Sequence, residues 1–136
     1  MVCSTGIGAG GAISGLHRFL KPRHPVLRIV AAEPADSPIL SRGMAGKHKI
    51  MGTAPGFIPD ALDTNAYQQL LSITTAEAFA MTRRLAAQEG IFCGISCGAA
   101  VSGMLKLAAG GACQGRTVLA ILPDTGERYL STEVWQ

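Results

Sequence analysis

Aromatic residues are scarce in this chain, at 5% of 136 positions, and charged residues are few, at 15%. The first shortage removes the stacking platform that single-stranded nucleic acid needs. The second leaves the 12 basic residues scattered: Arg18, Lys21, Arg23 and Arg28 around one helix end, Lys47 and Lys49 in a loop, Arg83 and Arg84 on another helix. At a net charge of +3 without a basic stripe, no nucleic-acid partner is expected. No apolar run reaches 18 residues and no signal peptide is visible, so a reducing cytoplasm and no membrane contact are expected. The four cysteines, Cys3, Cys93, Cys97 and Cys113, lack zinc spacing, which leaves buried free thiols and no metal as the expectation. Internal repeats and low-complexity segments are missing too.

What is present is an ordinary globular balance, 48% hydrophobic. A chain of this length makes one domain and buries roughly two thirds of its unfolded surface. Its most informative segment is Gly6-Ile7-Gly8-Ala9-Gly10-Gly11. A glycine-rich turn that opens a helix holds phosphate, because the first-turn N–H groups are unpaired, carry partial positive charge, and are reachable only where no side chain intervenes. Gly6-x-Gly8-x-x-Gly11 also satisfies the dinucleotide fingerprint, and the apolar stretch Leu27 to Ala32 ends at Glu33, about where that fingerprint wants an acid for the ribose. A strand-end role for Glu33 is the competing reading.

Met1-Val2-Cys3 reads as the end of a strand whose beginning is missing. Ala12 to Leu20 follows as a helix with Ile13, Leu16, Phe19 and Leu20 at helical spacing, stopped by Pro22 and Pro25. Val26 to Glu33 reads as a buried parallel strand, and 35 to 65 as a long functional loop. Thr74-Thr75-Ala76-Glu77 is a capping box opening a helix that turns Phe79, Leu85 and Ala86 inward and stops at Gly90. Ile91-Phe92-Cys93 is predicted as a short strand, Gly94 to Gly98 as a glycine-flanked turn, Ala99 to Ala109 as a helix with Ser96 a candidate N-cap, and Thr117 to Leu122 as a final buried strand. The order is that of an α/β parallel sheet with helices on its faces.

Further motifs follow in order: the Gly8 to Ala12 turn, Glu33-Pro34-Ala35-Asp36-Ser37-Pro38, His48-Lys49-Ile50, Gly56-Phe57-Ile58-Pro59, Gly90-Ile91, Gly94-Ile95-Ser96, and Gly126-Glu127-Arg128-Tyr129-Leu130-Ser131-Thr132. Together they resemble cysteine synthase, the O-acetylserine sulfhydrylase family. The resemblance implies a partial three-layer α/β sheet of the tryptophan synthase β-like fold, and pyridoxal 5′-phosphate as cofactor. It implies replacement of the acetoxy group of O-acetyl-L-serine by sulfide. The match is to the C-terminal portion only, so residues 1–136 are expected to be a single, incomplete cofactor-phosphate-binding domain, inactive alone. The family's cofactor-bearing lysine lies in a Ser-x-Lys context that none of Lys21, Lys47, Lys49 and Lys106 shares, so no catalytic residue is assigned.

The family's Gly-Thr-Gly-Gly-Thr phosphate turn matches Gly8, Ala9, Gly10, Gly11 and Ala12, with both threonines replaced by alanine. At Gly10 a side chain is expected to obstruct the ligand. Ser96 matches the hydroxyl that meets the cofactor's pyridine nitrogen. Where the family commonly reads Gln-Gly-x-Gly-x-Gly-Phe, this chain has Met51-Gly52-Thr53-Ala54-Pro55-Gly56-Phe57, which makes Gly52, Thr53 and Ala54 the substrate loop. Cys97 is expected only to pack, His48 and Lys49 to be solvated, and Glu127 to pair with Arg128. The family also implies a homodimer at full length and binding of serine acetyltransferase, so a non-catalytic interaction module is an alternative, as is the dinucleotide-binding domain.

Overall fold

The computed structural model describes residues 1–136 apart from the side chain of Cys3, so the expectation of a buried thiol there lies outside the described residues. Strands β1 (Val2–Gly6), β2 (Arg28–Pro34), β3 (Gln69–Ile73) and β4 (Val118–Ala120) form one parallel sheet in the order β3-β2-β1-β4. Four α-helices connect them: α1 (Gly11–Leu20), the short α2 (Ile39–Arg42), α3 (Thr75–Glu89) and α4 (Ile95–Ala109). β1 is not a stub. It spans five residues and pairs on both sides, with β2 and with β4. Sheet growth therefore runs one way from β1 to β2 and the other way to β4. Such a reversal opens a crevice at the carboxyl ends of the strands.

β2 alternates its side chains between two covered faces. Ile29 and Ala31 pack with Ile13 of α1 and with Leu27, while Val30 meets Met104 and Leu107 of α4 and Ala32 meets Ile95 and Ala99. The result is three layers. Each fully buried aliphatic side chain here contributes about 2 kcal/mol. Phe19 departs from its expected inward role: it is exposed, and the Arg23 guanidinium stacks 3.9 Å over its ring.

α3 starts where its capping box predicts. The Thr74 hydroxyl accepts the Glu77 N–H at 3.2 Å, and the Glu77 carboxylate accepts the Thr74 N–H at 2.8 Å. Burial opposes ionisation of Glu77, but the bonds from Lys106 and Thr74 outweigh it and hold the carboxyl below its ordinary range. Gly90 ends the helix in a left-handed conformation, φ 68°.

Three expectations about these elements fail, and one strand was not foreseen. Ile91-Phe92-Cys93 is no strand, since only an isolated antiparallel bridge joins Cys93 to Thr125. β3 lies in a stretch the sequence did not mark. α4 begins at Ile95, ahead of Ala99, because Gly94 adopts the extended N-cap conformation. β4 is short and lies at the sheet edge with Val118 and Leu119 exposed, so the last strand is not buried. Beyond it, two 3-10 turns, Gly126–Tyr129 and Glu133–Trp135, bring the C-terminus back onto α3. There Trp135 packs on Phe92 with ring centroids 4.8 Å apart, and Arg83 donates to the Val134 carbonyl.

Candidate functional site

β1 delivers the chain into the glycine turn at Gly6, and α1 begins at Gly11 with Gly10 as N-cap, φ 83°. No side chain caps this helix. Its first-turn N–H groups therefore face a cleft of about 300 Å³, walled by Gly8, Ala9 and Gly11 on one side and by Gly52 and Pro123 on the other. The close walls are the Gly52 backbone and the Thr53 methyl. A Cβ on Gly8 would lie 2.5 Å from the Gly52 carbonyl oxygen, and one on Gly6 would lie 2.8 Å from Thr53 Cγ2. The cleft sits at the carboxyl ends of β1 and β4, at the point where the sheet reverses.

The loop carrying Gly52, Thr53 and Ala54 crosses over this turn and is tied to it. The Ala54 N–H donates to the Ile7 carbonyl at 2.9 Å, and the His48 Nε2–H donates to the Ala54 carbonyl at 3.1 Å. Thr53 is buried with its hydroxyl donating to the Ile50 carbonyl at 2.7 Å, so its methyl, not its oxygen, faces Gly6. His48 is thus half-buried and engaged, not a freely solvated loop residue, whereas Lys49 is exposed as expected and forms a surface ion pair with Glu133 at 2.6 Å.

Among the described residues, Ala54 is the one non-glycine residue with positive φ, at 43°. A left-handed conformation costs alanine about 1–2 kcal/mol, against about 0.5–1 kcal/mol of extra chain entropy lost by glycine. Ala54→Gly is therefore expected to stabilise the protein by about 0.5 kcal/mol. A lowered thermal midpoint in this variant would contradict that assignment of strain.

Beside Gly6 and Gly52 stands the first turn of α4. Ser96 is 4% exposed, and its Oγ has no hydrogen-bond partner among the described residues. A Cβ on Gly52 would lie 3.6 Å from that Oγ, so the hydroxyl looks across at the loop. Because Gly94 is the N-cap, Ser96 does not cap the helix. Cys97 does more than pack: its Sγ–H donates to Asp124 Oδ1 at 3.2 Å. Tyr129 donates to the other oxygen of the same carboxylate. Burial first, and then the Asp124 carboxylate, push both the Cys97 thiol and the Tyr129 phenol up to about 12, so both are donors at neutral pH.

The structure places Gly8, Ala9, Gly10, Gly11, Ala12 and Gly52 around the cleft, while Thr53 packs on Gly6, Ala54 bonds to Ile7 and Ser96 lies beside Gly6 and Gly52 without lining the cleft. Sequence reasoning missed Pro123 and Asp124. Their position just after a final parallel strand was the available signal, since ligands bind at carboxyl ends of such strands. Glu33 is 4% exposed and accepts the Leu40 N–H at 3.1 Å, which engages it at the loop instead of leaving it free for a ribose. Glu127 and Arg128 are both exposed, and no ion pair joins them among the described residues. Cys93 and Cys97 are buried free thiols, whereas Cys113 is only half-buried.

The geometry thus offers a cleft of about 300 Å³ lined largely by glycine, with the Ser96 hydroxyl beside its Gly6 and Gly52 edge. Residues 2–124 match the family described as pyridoxal-phosphate dependent enzyme. The chain belongs to that family. It is 44% identical over 130 residues to the cysteine synthase of Staphylococcus aureus, covering 96% of this chain and 42% of that protein. The structure of an O-ureido-L-serine synthase superposes with a TM-score of 0.93 at 44% identity, over 98% of this chain and 42% of that one. A cysteine synthase from Entamoeba histolytica superposes at 0.95 with 35% identity, over 98% and 40%. The chain therefore spans less than half the length of the relatives it matches. No helix among the described residues is long and apolar enough to cross a membrane.

Proposed function

We propose that this chain is the cofactor-phosphate-binding part of a cysteine synthase, the enzyme that converts O-acetyl-L-serine and sulfide into L-cysteine and acetate. The observation that carries this reading is the uncapped start of α1 facing a cleft whose near walls are glycine backbone. Backbone N–H groups from Gly8 to Ala12 would bind the phosphate of pyridoxal phosphate, and Ser96 would donate to its ring nitrogen. When bound, that cofactor supplies the electron sink for reaction at the substrate's α-carbon. A neutral hydroxyl donor leaves the ring nitrogen largely unprotonated and moderates that sink, which favours loss of the β-substituent over transamination. Gly52, Thr53 and Ala54 would line the substrate side.

The amine that moves protons in such a reaction does not come from these residues. Lys21 donates to the Leu27 carbonyl, Lys49 pairs with Glu133, Lys106 pairs with Glu77, and none of the lysines lines the cleft. This chain alone is expected to bind but not to turn over.

Ala9→Thr with Ala12→Thr is expected to tighten pyridoxal phosphate binding about five- to tenfold per hydroxyl, because each adds a charge-assisted bond to the phosphate. Affinity should weaken below about pH 6, where a phosphate monoester loses its second charge. Calorimetry on wild type and both variants, with a nicotinamide dinucleotide as competitor, tests the reading. Unchanged affinity in the variants, or preference for the dinucleotide, would overturn it.

A second reading is favoured by one observation. A larger open cavity of about 560 Å³ adjoins the cleft at Gly8 and Gly52 and is edged by Phe57, which with Ile58 is more than half exposed. That apolar rim suits a peptide such as the tail of serine acetyltransferase. Competition between such a peptide and pyridoxal phosphate distinguishes a regulatory module from a cofactor domain.

A further inference from the structure

We propose that Asp124 is the positioning residue that sets the aim of the Ser96 hydroxyl, by clamping the first turn of α4 to the segment that closes the cleft. Ser96 has no bond of its own to fix it, so its direction is inherited from the turn that carries it. That turn is held on both sides of Ser96 by one residue. The Asp124 carbonyl accepts the Gly94 N–H at 3.3 Å, and Oδ1 accepts the Cys97 Sγ–H at 3.2 Å. The carboxylate packs so closely on Gly94 that any Cβ there would overlap it. Its other oxygen is bound by Tyr129, which anchors the clamp in the core formed with Phe79 and Val134. Pro123, the preceding residue, is itself a wall of the cleft. Cleft wall, clamp and hydroxyl are therefore one mechanical unit, and the negative charge stands at the favourable end of the α4 dipole.

The inference rests on the assignment of Ser96 to the cofactor ring, but its first readout needs no cofactor. Amide hydrogen exchange at Cys97 and Gly98, whose N–H groups bond to the Gly94 carbonyl at 3.1 and 3.3 Å, reports the turn directly. In Asp124→Ala these amides are expected to exchange about tenfold faster, with the α1 amides unchanged. Asp124→Asn, which keeps an oxygen acceptor, should restore most of the protection. Tyr129→Phe and Cys97→Ala, each removing one leg, should give about two- to threefold each and serve if the alanine variant does not fold.

The second readout is ligand affinity. Asp124→Ala and Ser96→Ala should each weaken pyridoxal phosphate about five- to tenfold, with no further loss in the double variant and no change for inorganic phosphate. Unchanged exchange at Cys97 and Gly98, additive losses, or a parallel loss of inorganic phosphate would overturn the proposal. Failure of the wild-type chain to prefer pyridoxal phosphate over inorganic phosphate would instead overturn the functional reading, while the exchange data still decide whether Asp124 holds the turn.

Discussion

Gly10→Val is expected to abolish phosphate binding and to destabilise the protein by about 3–5 kcal/mol, combining left-handed strain with overpacking. At φ 83° the position lies where a β-branched residue is a severe outlier. Its Cβ would also lie 2.6 Å from Leu62 Cβ and 2.7 Å from Leu62 Cα, so the collision is with backbone that cannot rotate away. The side chain would thus wedge the turn away from the 59–63 loop, and because Gly10 also lines the cleft this adds to the obstruction of the ligand expected from the sequence. Urea unfolding should show the loss of stability, and calorimetry the loss of binding. Wild-type affinity in this variant would mean that the glycine turn is not the phosphate site.

Gly98→Val should be nearly as damaging, at about 3 kcal/mol. Gly98 sits where α4 crosses α3, and a Cβ there would lie 2.8 Å from the Thr82 nitrogen and closer still to the Ala78 carbonyl. Both are part of a helix whose buried face includes Ala78, Phe79 and Thr82. Separating the helices would also displace Ser96, two residues away on the same turn. Thermal unfolding together with pyridoxal phosphate affinity measures both consequences, and an unchanged midpoint would show that the helix crossing tolerates the side chain.

Local chemistry made part of this fold legible. The capping box at Thr74 and Glu77 and the stop at Gly90 require only residues within one helix, and they appear as read. β2 was legible because burial on both faces imposes a continuous apolar run. β3 was not, because Gln69 to Leu71 are only partly buried, Ser72 is exposed, and the stretch has no alternation to betray it. The N-terminal boundary of α4 was missed because an extended Gly94 can cap without a side chain. The cleft residues could be read from their resemblance to a family, and the sheet brings them together. What no spacing reveals is that Asp124, 30 residues after Gly94, closes over it.

The docking of the C-terminus on α3 gives the molecule an optical reporter. Trp135 is the single tryptophan of the chain, and its indole N–H is buried with no partner while its ring lies against Phe92. Its emission is therefore governed by the seat of the last turn on α3 and Phe92. The cleft is walled by other residues. Quenching or a red shift on denaturation will register release of that turn, and an emission change on ligand addition will signal motion relayed through the 123–135 segment.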